Sequence, residues 1–383
     1  MASGPSRVKK IFAIQIVNSI ITGILTITLP LLMEKRNISI VQMGLIFSVM
    51  PMIFQLTRLS LGVLSDFLGR KIFLIFNSIL ALVSNTTYYF ANSPLSFAFG
   101  KVTEGVKDGS LWAVNRASVL DEEGEKRWRL VQLRTFSSVF EAVGNLAAGF
   151  LITWFLFSNT ILLTIVMSAM LVPISFSLSE SVRSKFSSAE VLRSLDLRNR
   201  TAEFKKFLIL FFTSGISDGF IAGYVFTVFL NQGGMSTELI GAVLGAKVLI
   251  TGICIYFFTG IKITRLLVAG GATYAFSLSA LGFTNAAFAG LLLLLLGVAN
   301  GVLTNASERF FPALTRNGTY ASDVGLLMTS FHTARTASIL TSGFLIASYG
   351  FSSVFLLSSL ACLVYVVMAY KVLDREMVNG IRF

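Results

Sequence analysis

The amino-acid sequence predicts an all-α membrane protein, with twelve transmembrane helices in two six-helix pseudo-symmetric bundles. The first observation is composition. Of 383 residues, 54% are hydrophobic and 13% charged, and 35 are phenylalanine. A spanning helix needs about 20 mostly apolar residues, and this chain supplies roughly twelve such stretches joined by short connections. The second observation is a polar run, Glu180 to Lys206, that leaves six stretches on either side. The third is where the +12 net charge falls. If the amino terminus is inside, the inside segments hold Arg7, Lys9, Lys10, Arg70, Lys71, Lys126, Arg127, Arg129, the basic residues from Arg183 to Lys206, Lys262, Arg265, Arg309, Arg316, Lys371, Arg375 and Arg382. The outside segments hold Lys35 and Arg36. Cationic loops beside a helix end resist translocation, so both termini are expected at the cytoplasmic face of the cell membrane. The same asymmetry explains the basic balance without nucleic acid.

The first span, 9–33, follows a short basic leader and is too long for a signal-peptide core. The second, 40–62, runs into Gly62–Lys71, a short charged segment with two glycines. It reads as a tight reversal before the third span, 70–91, because glycine frees the backbone there. Spans at 94–119, 130–155 and 160–179 complete a first bundle over 1–179. Residues 180–203 read as a cytoplasmic linker, with Val191, Leu192, Leu195 and Leu197 set among charges as in an amphipathic surface helix. The second bundle, 204–383, holds spans at 204–231, 237–259, 265–283, 287–310, 322–347 and 350–371. Asn115-Arg116-Ala117-Ser118 near the end of the fourth span is echoed by Asn305-Ala306-Ser307 near the end of the tenth.

Charge inside the bilayer is costly and marks surfaces that face protein or water. The third, sixth, ninth and twelfth spans carry none, which makes them an outer layer around a polar interior. Arg58, Lys101, Glu104, Lys107, Asp108, Arg116, Arg134, Glu141, Asp218, Lys247, Glu308, His332 and Arg335 lie in the other spans. Polar residues also recur at helical spacing: Gln15, Asn18 and Thr22; Lys101, Glu104, Asp108 and Trp112; Arg134, Ser138, Glu141 and Asn145; Asn300, Thr304 and Glu308. Glycines four apart, Gly215, Gly219 and Gly223, Gly241 and Gly245, Gly297 and Gly301, suit close helix packing.

Gly62, Leu64, Asp66, Gly69, Arg70 and Lys71 fill the pattern Gly-x-Leu-x-Asp-x-x-Gly-Arg-Lys/Arg and so resemble the loop between the second and third helices of the major facilitator superfamily. The resemblance extends over twelve spans and the central loop. It implies a secondary transporter working by alternating access. It also implies a conformational latch of Gly62, Asp66, Gly69, Arg70 and Lys71 acting with an acid at the end of the fourth helix, by position Asp121, and with the start of the eleventh, Ser322-Asp323. Other family patterns are altered. The fourth helix reads Lys101-Val102-Thr103-Glu104-Gly105, and the fifth reads Gly144-Asn145-Leu146-Ala147-Ala148-Gly149 without the antiporter proline. Gln15, Asn18 and Thr22 stand where drug and proton antiporters carry an acid, and Gly260–Arg265 is a reduced second copy of the loop.

Within the superfamily, cations on the eighth and eleventh helices resemble a carboxylate clamp, and arginine suits bidentate contact. The expected solute is therefore small, organic, and anionic or zwitterionic, held by Lys247 and Arg335 with His332, Asn300, Trp112, Gln15 and Asn18 nearby. Proton coupling is expected at Glu104, Asp108, Glu141 and Asp218, carboxylates sensitive to loss of water or of a partner. Structural pairing competes with these roles: Glu104, Lys107 and Asp108 could pair among themselves, and Asp218 with Lys247. A drug/proton antiporter and a lipid flippase on the same fold are the alternatives. Cys254 and Cys362 lie within spans and a single histidine offers no metal cluster, so neither metal nor cofactor is expected. No nucleotide-binding Gly-x-x-x-x-Gly-Lys-Ser/Thr stretch occurs, and no nucleophile and base suggest an enzyme. The expected partners are the solute, the lipid bilayer and protons, with the chain acting as a monomer.

Overall fold

The computed structural model describes residues 5–120, 126–179, 202–284, 286–314 and 320–376. The 180–203 linker falls outside them up to residue 201, as does Asp121. Helices are the only regular secondary structure among the described residues: α1 Pro5–Lys35, α2 Ile40–Leu68, α3 Arg70–Phe90 and α4 Pro94–Leu120. The helical stretch Lys126–Phe176 breaks at Leu156, whose φ of 65° and ψ of 167° interrupt it, giving α5 (126–155) and α6 (157–176). Next comes α7, Ala202–Ile221, continued after a break by Val225–Gln232. The chain then forms α8 Thr237–Phe257, α9 Ile263–Leu281, α10 Ala286–Leu314, α11 Tyr320–Tyr349 and α12 Phe351–Glu376. Eight described helical stretches are long and apolar enough to cross a membrane, the α5–α6 stretch counting once. Among the more polar remainder is α4, which carries Lys101, Glu104, Lys107 and Asp108.

Two boundaries differ from the sequence expectation. The second helix does not stop near residue 62 but continues to Leu68, so the reversal is confined to Gly69. Gly69 has φ 88° and ψ 154°, a conformation almost exclusive to glycine. One such residue turns the chain without spending further backbone polar groups on a loop. The seventh span is not continuous, because Gly223 has φ 70° and a Cβ there would lie 2.9 Å from the Phe47 ring.

Each bundle repeats the same three pairings. The α1–α5, α2–α4 and α3–α6 contacts of the first correspond to α7–α11, α8–α10 and α9–α12 of the second. The α3–α6 pair carries hydroxyl and amide contacts, Ser78 with Ser175 at 2.6 Å and Asn85 Nδ2 to Ser168 Oγ at 2.6 Å. Its counterpart, α9–α12, has Ser279 with Ser359 at 2.9 Å. These are the helices without intramembrane charge, and they flank the charged ones. The two bundles meet along α2–α11 and α5–α8.

Both seams are closed by backbone contact at glycine. A Cβ at Gly343 would lie 2.7 Å from the Ile40 carbonyl oxygen, and one at Gly241 would lie 2.7 Å from that of Asn145. At the end opposite the termini, Asn231 Nδ2 and Gln232 Nε2 each donate to the Glu34 carboxylate at 2.9 Å, tying α7 to α1. The start of α2 is fixed by a capping box, with Gln42 N donating to Ser39 Oγ and Ser39 N to Gln42 Oε1, which satisfies helix-start donors that would otherwise be orphaned.

Candidate functional site

The interior contains three charged groups of different character. The first is built on α4, where Lys101 Nζ lies 2.8 Å from Glu104 Oε2, with both side chains buried. The Tyr88 hydroxyl donates to the same carboxylate oxygen, and the Lys101 ammonium stands 4.6 Å above the Phe47 ring. One turn on, Lys107 Nζ lies 2.9 Å from Asp108 Oδ1. Neighbours three or one residue apart on one helix supply both pairings, so these four charges cancel within α4. Buried ions persist when they are paired and hydrogen-bonded in this way.

The second group crosses between bundles. Arg58 of α2 is 3% exposed. Its guanidinium lies 4.7 Å from the Trp112 ring centre and donates through Nη2 to the Gly325 carbonyl of α11 at 2.9 Å. His332 of α11 packs against Phe54, with ring centres 4.8 Å apart, and its buried Nδ1 has no hydrogen-bond partner among the described residues. Trp112 and His332, expected as solute contacts, thus stand in an aromatic and cationic stack along the α2–α11 seam. Arg58 was visible in the sequence as the only charge inside its span. Its role depends on α11, which no local pattern reveals.

The third group is central. Arg335 Nε of α11 lies 2.8 Å from Asp218 Oδ2 of α7, with side chains 31% and 46% exposed. This is an ion pair by distance, although the Nε–H does not align as a hydrogen bond. Asp218 is therefore committed to Arg335 and not to Lys247. On α8, the Lys247 ammonium stands 4.3 Å above the Phe226 ring and within Coulombic reach of Asp218 and Glu141. Glu141 of α5 interacts electrostatically with Arg134, Lys247, Arg335 and Asp108. No ion pair involves Glu141 or Lys247 among the described residues, although both are half-buried.

Three glycines hold these residues by their main chain. A Cβ at Gly23 would collide with the Glu141 carbonyl oxygen; one at Gly297 would lie 2.6 Å from that of Lys247, and one at Gly219 2.6 Å from that of Arg335. Thr251 Oγ1 lies 2.9 Å from Lys247 O on its own helix and 3.0 Å from Gly297 O, and donation to the latter reinforces the α8–α10 contact. Close helix approach of this kind fixes where each charged side chain starts, which is what a preorganised site requires.

The remaining expected residues are distributed differently. Gln15 Nε2 lies 3.1 Å from both Ser19 Oγ and Ser137 Oγ, and Gln15 Oε1 accepts from Asn115 at 2.7 Å. Asn18 donates to Ile14 O at 2.9 Å and to Asn77 Oδ1 at 3.3 Å. Both residues are engaged in joining helices of the first bundle. Asn300 is half-buried on α10, the helix whose Gly297 lies against Lys247. In the latch segment Gly62 and Asp66 lie in helical backbone, their side-chain surroundings being outside the described set, and Arg70 and Lys71 open α3.

Comparison with known proteins bears on the fold. The fold matches the nucleoside transporter NupG with a TM-score of 0.76 at 12% identity, covering 96% of this chain and 99% of that one. A mutant form of the same transporter gives 0.79 at 12% identity, covering 95% and 98%. The human organic anion transporter MFSD10 (TETRAN) gives 0.69 at 16% identity, covering 96% and 100%. At these identities the likeness is one of fold. No curated protein sequence matches the chain. The sequence profile described as Major Facilitator Superfamily matches residues 11–306, and the chain belongs to that superfamily of membrane transporters.

Proposed function

We propose that the protein is a secondary active transporter for a small anionic or zwitterionic organic solute, working by alternating access between bundles 1–179 and 204–383, with both termini at the cytoplasmic face of the cell membrane. The observation that carries the reading is Lys247, an ammonium with no ion-pair partner among the described residues. It sits near the Asp218–Arg335 pair, on α8, one of the helices that form the seam between bundles. Substrate sites in such folds lie where the two repeats meet. A solute carboxylate would first meet Lys247 and then compete with Asp218 for Arg335. Asp218, once displaced, becomes a place for a proton, which links solute entry to proton movement. Glu104 and Asp108, each paired with a lysine on its own helix, would need a larger rearrangement to take part, and Glu141 has no such partner.

The test is uptake into proteoliposomes of labelled organic acids in parallel with labelled phospholipid. Organic-acid uptake that is lost in both Lys247→Ala and Arg335→Ala supports the reading. Wild-type rates in both variants would end it, and lipid movement alone would replace it with the flippase alternative.

A further inference from the structure

The clamp just described leaves Glu141 unused. Glu141 lies on α5 between two adjoining stripes. One, with Ser138, Ala142 and Asn145, meets α8 of the other bundle; the other, with Ser137 and Gly144, meets α1. The carboxylate is half-buried and has no hydrogen bond or ion pair among the described residues. It lies within Coulombic reach of Lys247 but outside ion-pair contact with it. A membrane-interior carboxylate kept without a contact partner is costly, and such groups are functional by default.

The two residues belong to different bundles, and each is fixed by its main chain. Gly23 of α1 lies against Glu141, and Gly297 of α10 against Lys247. Gly245 brings α5 and α8 together, since a Cβ there would be 2.9 Å from the Ala142 carbonyl oxygen. Opposite charges held at fixed starting points, near each other but not in contact, match a ligand that carries both signs.

We infer that Glu141 is the subsite for the cationic group of the solute, so that the transported class is a short amino-carboxylate zwitterion whose carboxylate is taken by Lys247. The inference rests on the reading of Lys247 as the anion subsite. Glu141 also supplies discrimination: a plain carboxylate entering near Lys247 meets the Glu141 carboxylate with no cationic group to offer it, and like-charge juxtaposition selects against it. Because the two ends of the zwitterion are held by opposite bundles, the bound solute bridges the seam that rocking must open and close.

The test uses purified full-length protein in detergent and two matched probe sets at constant ionic strength: β-alanine, propionate and propylamine; and phenylalanine, phenylpropionate and phenethylamine. A ligand that binds the folded state raises the apparent melting temperature. In at least one set the amino-carboxylate should stabilise the protein more than either single-charge analogue. Glu141→Gln should weaken that probe by about tenfold or more, the loss of one charge-assisted contact, while the matched carboxylate binds as well as before or better. Lys247→Met should weaken both. Glu141→Asp, which keeps the charge on a shorter side chain, should fall between wild type and Glu141→Gln and covers the case in which Glu141→Gln does not fold. If carboxylate and amino-carboxylate bind equally and neither Glu141 variant changes their ratio, the inference is overturned while the anion reading stands. If no member of either set binds, both are overturned.

Discussion

Gly245→Ala tests whether the contact between bundles is as tight as the glycines indicate. The added Cβ would stand 2.9 Å from the Ala142 carbonyl oxygen and 3.3 Å from the Leu146 amide nitrogen. Ordinary contact begins at 3.4 Å, so the first approach is short by about 0.5 Å for an unrelaxed methyl, an overlap of the kind that makes overpacking destabilising. Both neighbours are α5 backbone and cannot rotate away, so the helices must part. Overpacking of this order costs about 1 to 3 kcal/mol. Because α5 and α8 belong to opposite bundles, the cost falls on the state in which this seam is shut. The equilibrium should therefore move about 5- to 150-fold away from that state.

Maleimide labelling of a cysteine placed at Thr227 reads the shift. Thr227 is 1% exposed, and its hydroxyl donates from the continuation of α7 to Thr26 O of α1 at 3.4 Å, a contact between the bundles that parts when they separate. Cys254 and Cys362 are both buried and give a low background. Labelling should accelerate in Gly245→Ala and stay unchanged in Gly290→Ala, where the nearest atom to a Cβ is Val243 Cγ2 at 3.5 Å. Unchanged labelling in Gly245→Ala, with unchanged thermal stability, would refute the reasoning.

Three further outcomes are expected. Glu104→Gln leaves the buried Lys101 ammonium without its carboxylate and should destabilise the folded protein by about 3 to 5 kcal/mol, read as a fall in melting temperature; Tyr88→Phe should cost less. Gly69→Ala forces a side chain into φ 88°, ψ 154° and should cost about 1 to 3 kcal/mol; a melting temperature equal to wild type would show that the turn relaxes freely. Asp218→Asn removes the competitor for Arg335. The pair is partly exposed, so its contribution is about 1 kcal/mol, and a transported carboxylate should bind about fivefold tighter while its uptake loses dependence on a pH gradient. Equal affinity would place the carboxylate away from Arg335.

Much of the fold was legible because a bilayer imposes a simple local rule: each span must be long, apolar and internally hydrogen-bonded. The uncharged third, sixth, ninth and twelfth spans marked the helices that flank the charged ones, since the cost of an ion in hydrocarbon acts on each helix separately. Boundaries with another origin were missed. The one-residue turn at Gly69 and the break at Gly223 are backbone conformations, and neither changes the hydrophobic pattern. Gly241 and Gly245, read as packing residues, join opposite bundles, a fact about partners rather than spacing.

The candidate site divides in the same way. Lys101 and Glu104 are three apart on one helix, a pairing that spacing makes legible, whereas Lys107 and Asp108 are adjacent and their contact is a matter of side-chain conformation that spacing does not give. The sequence offered Lys247 as the partner of Asp218, and the packing of α7 on α11 through Gly219 gave Asp218 to Arg335 instead. Gln15 and Asn18 lay on a polar stripe suited to a cavity, yet Ser137, Asn77 and Asn115 engage them. By itself the sequence determined that this chain spans a membrane many times around a charged interior, because hydrophobic length and the cost of buried charge are properties of each segment. Only the tertiary structure decided which charges cancel and which stay available, because ion pairing falls off within a few ångströms and depends on helices far apart in the chain coming into contact.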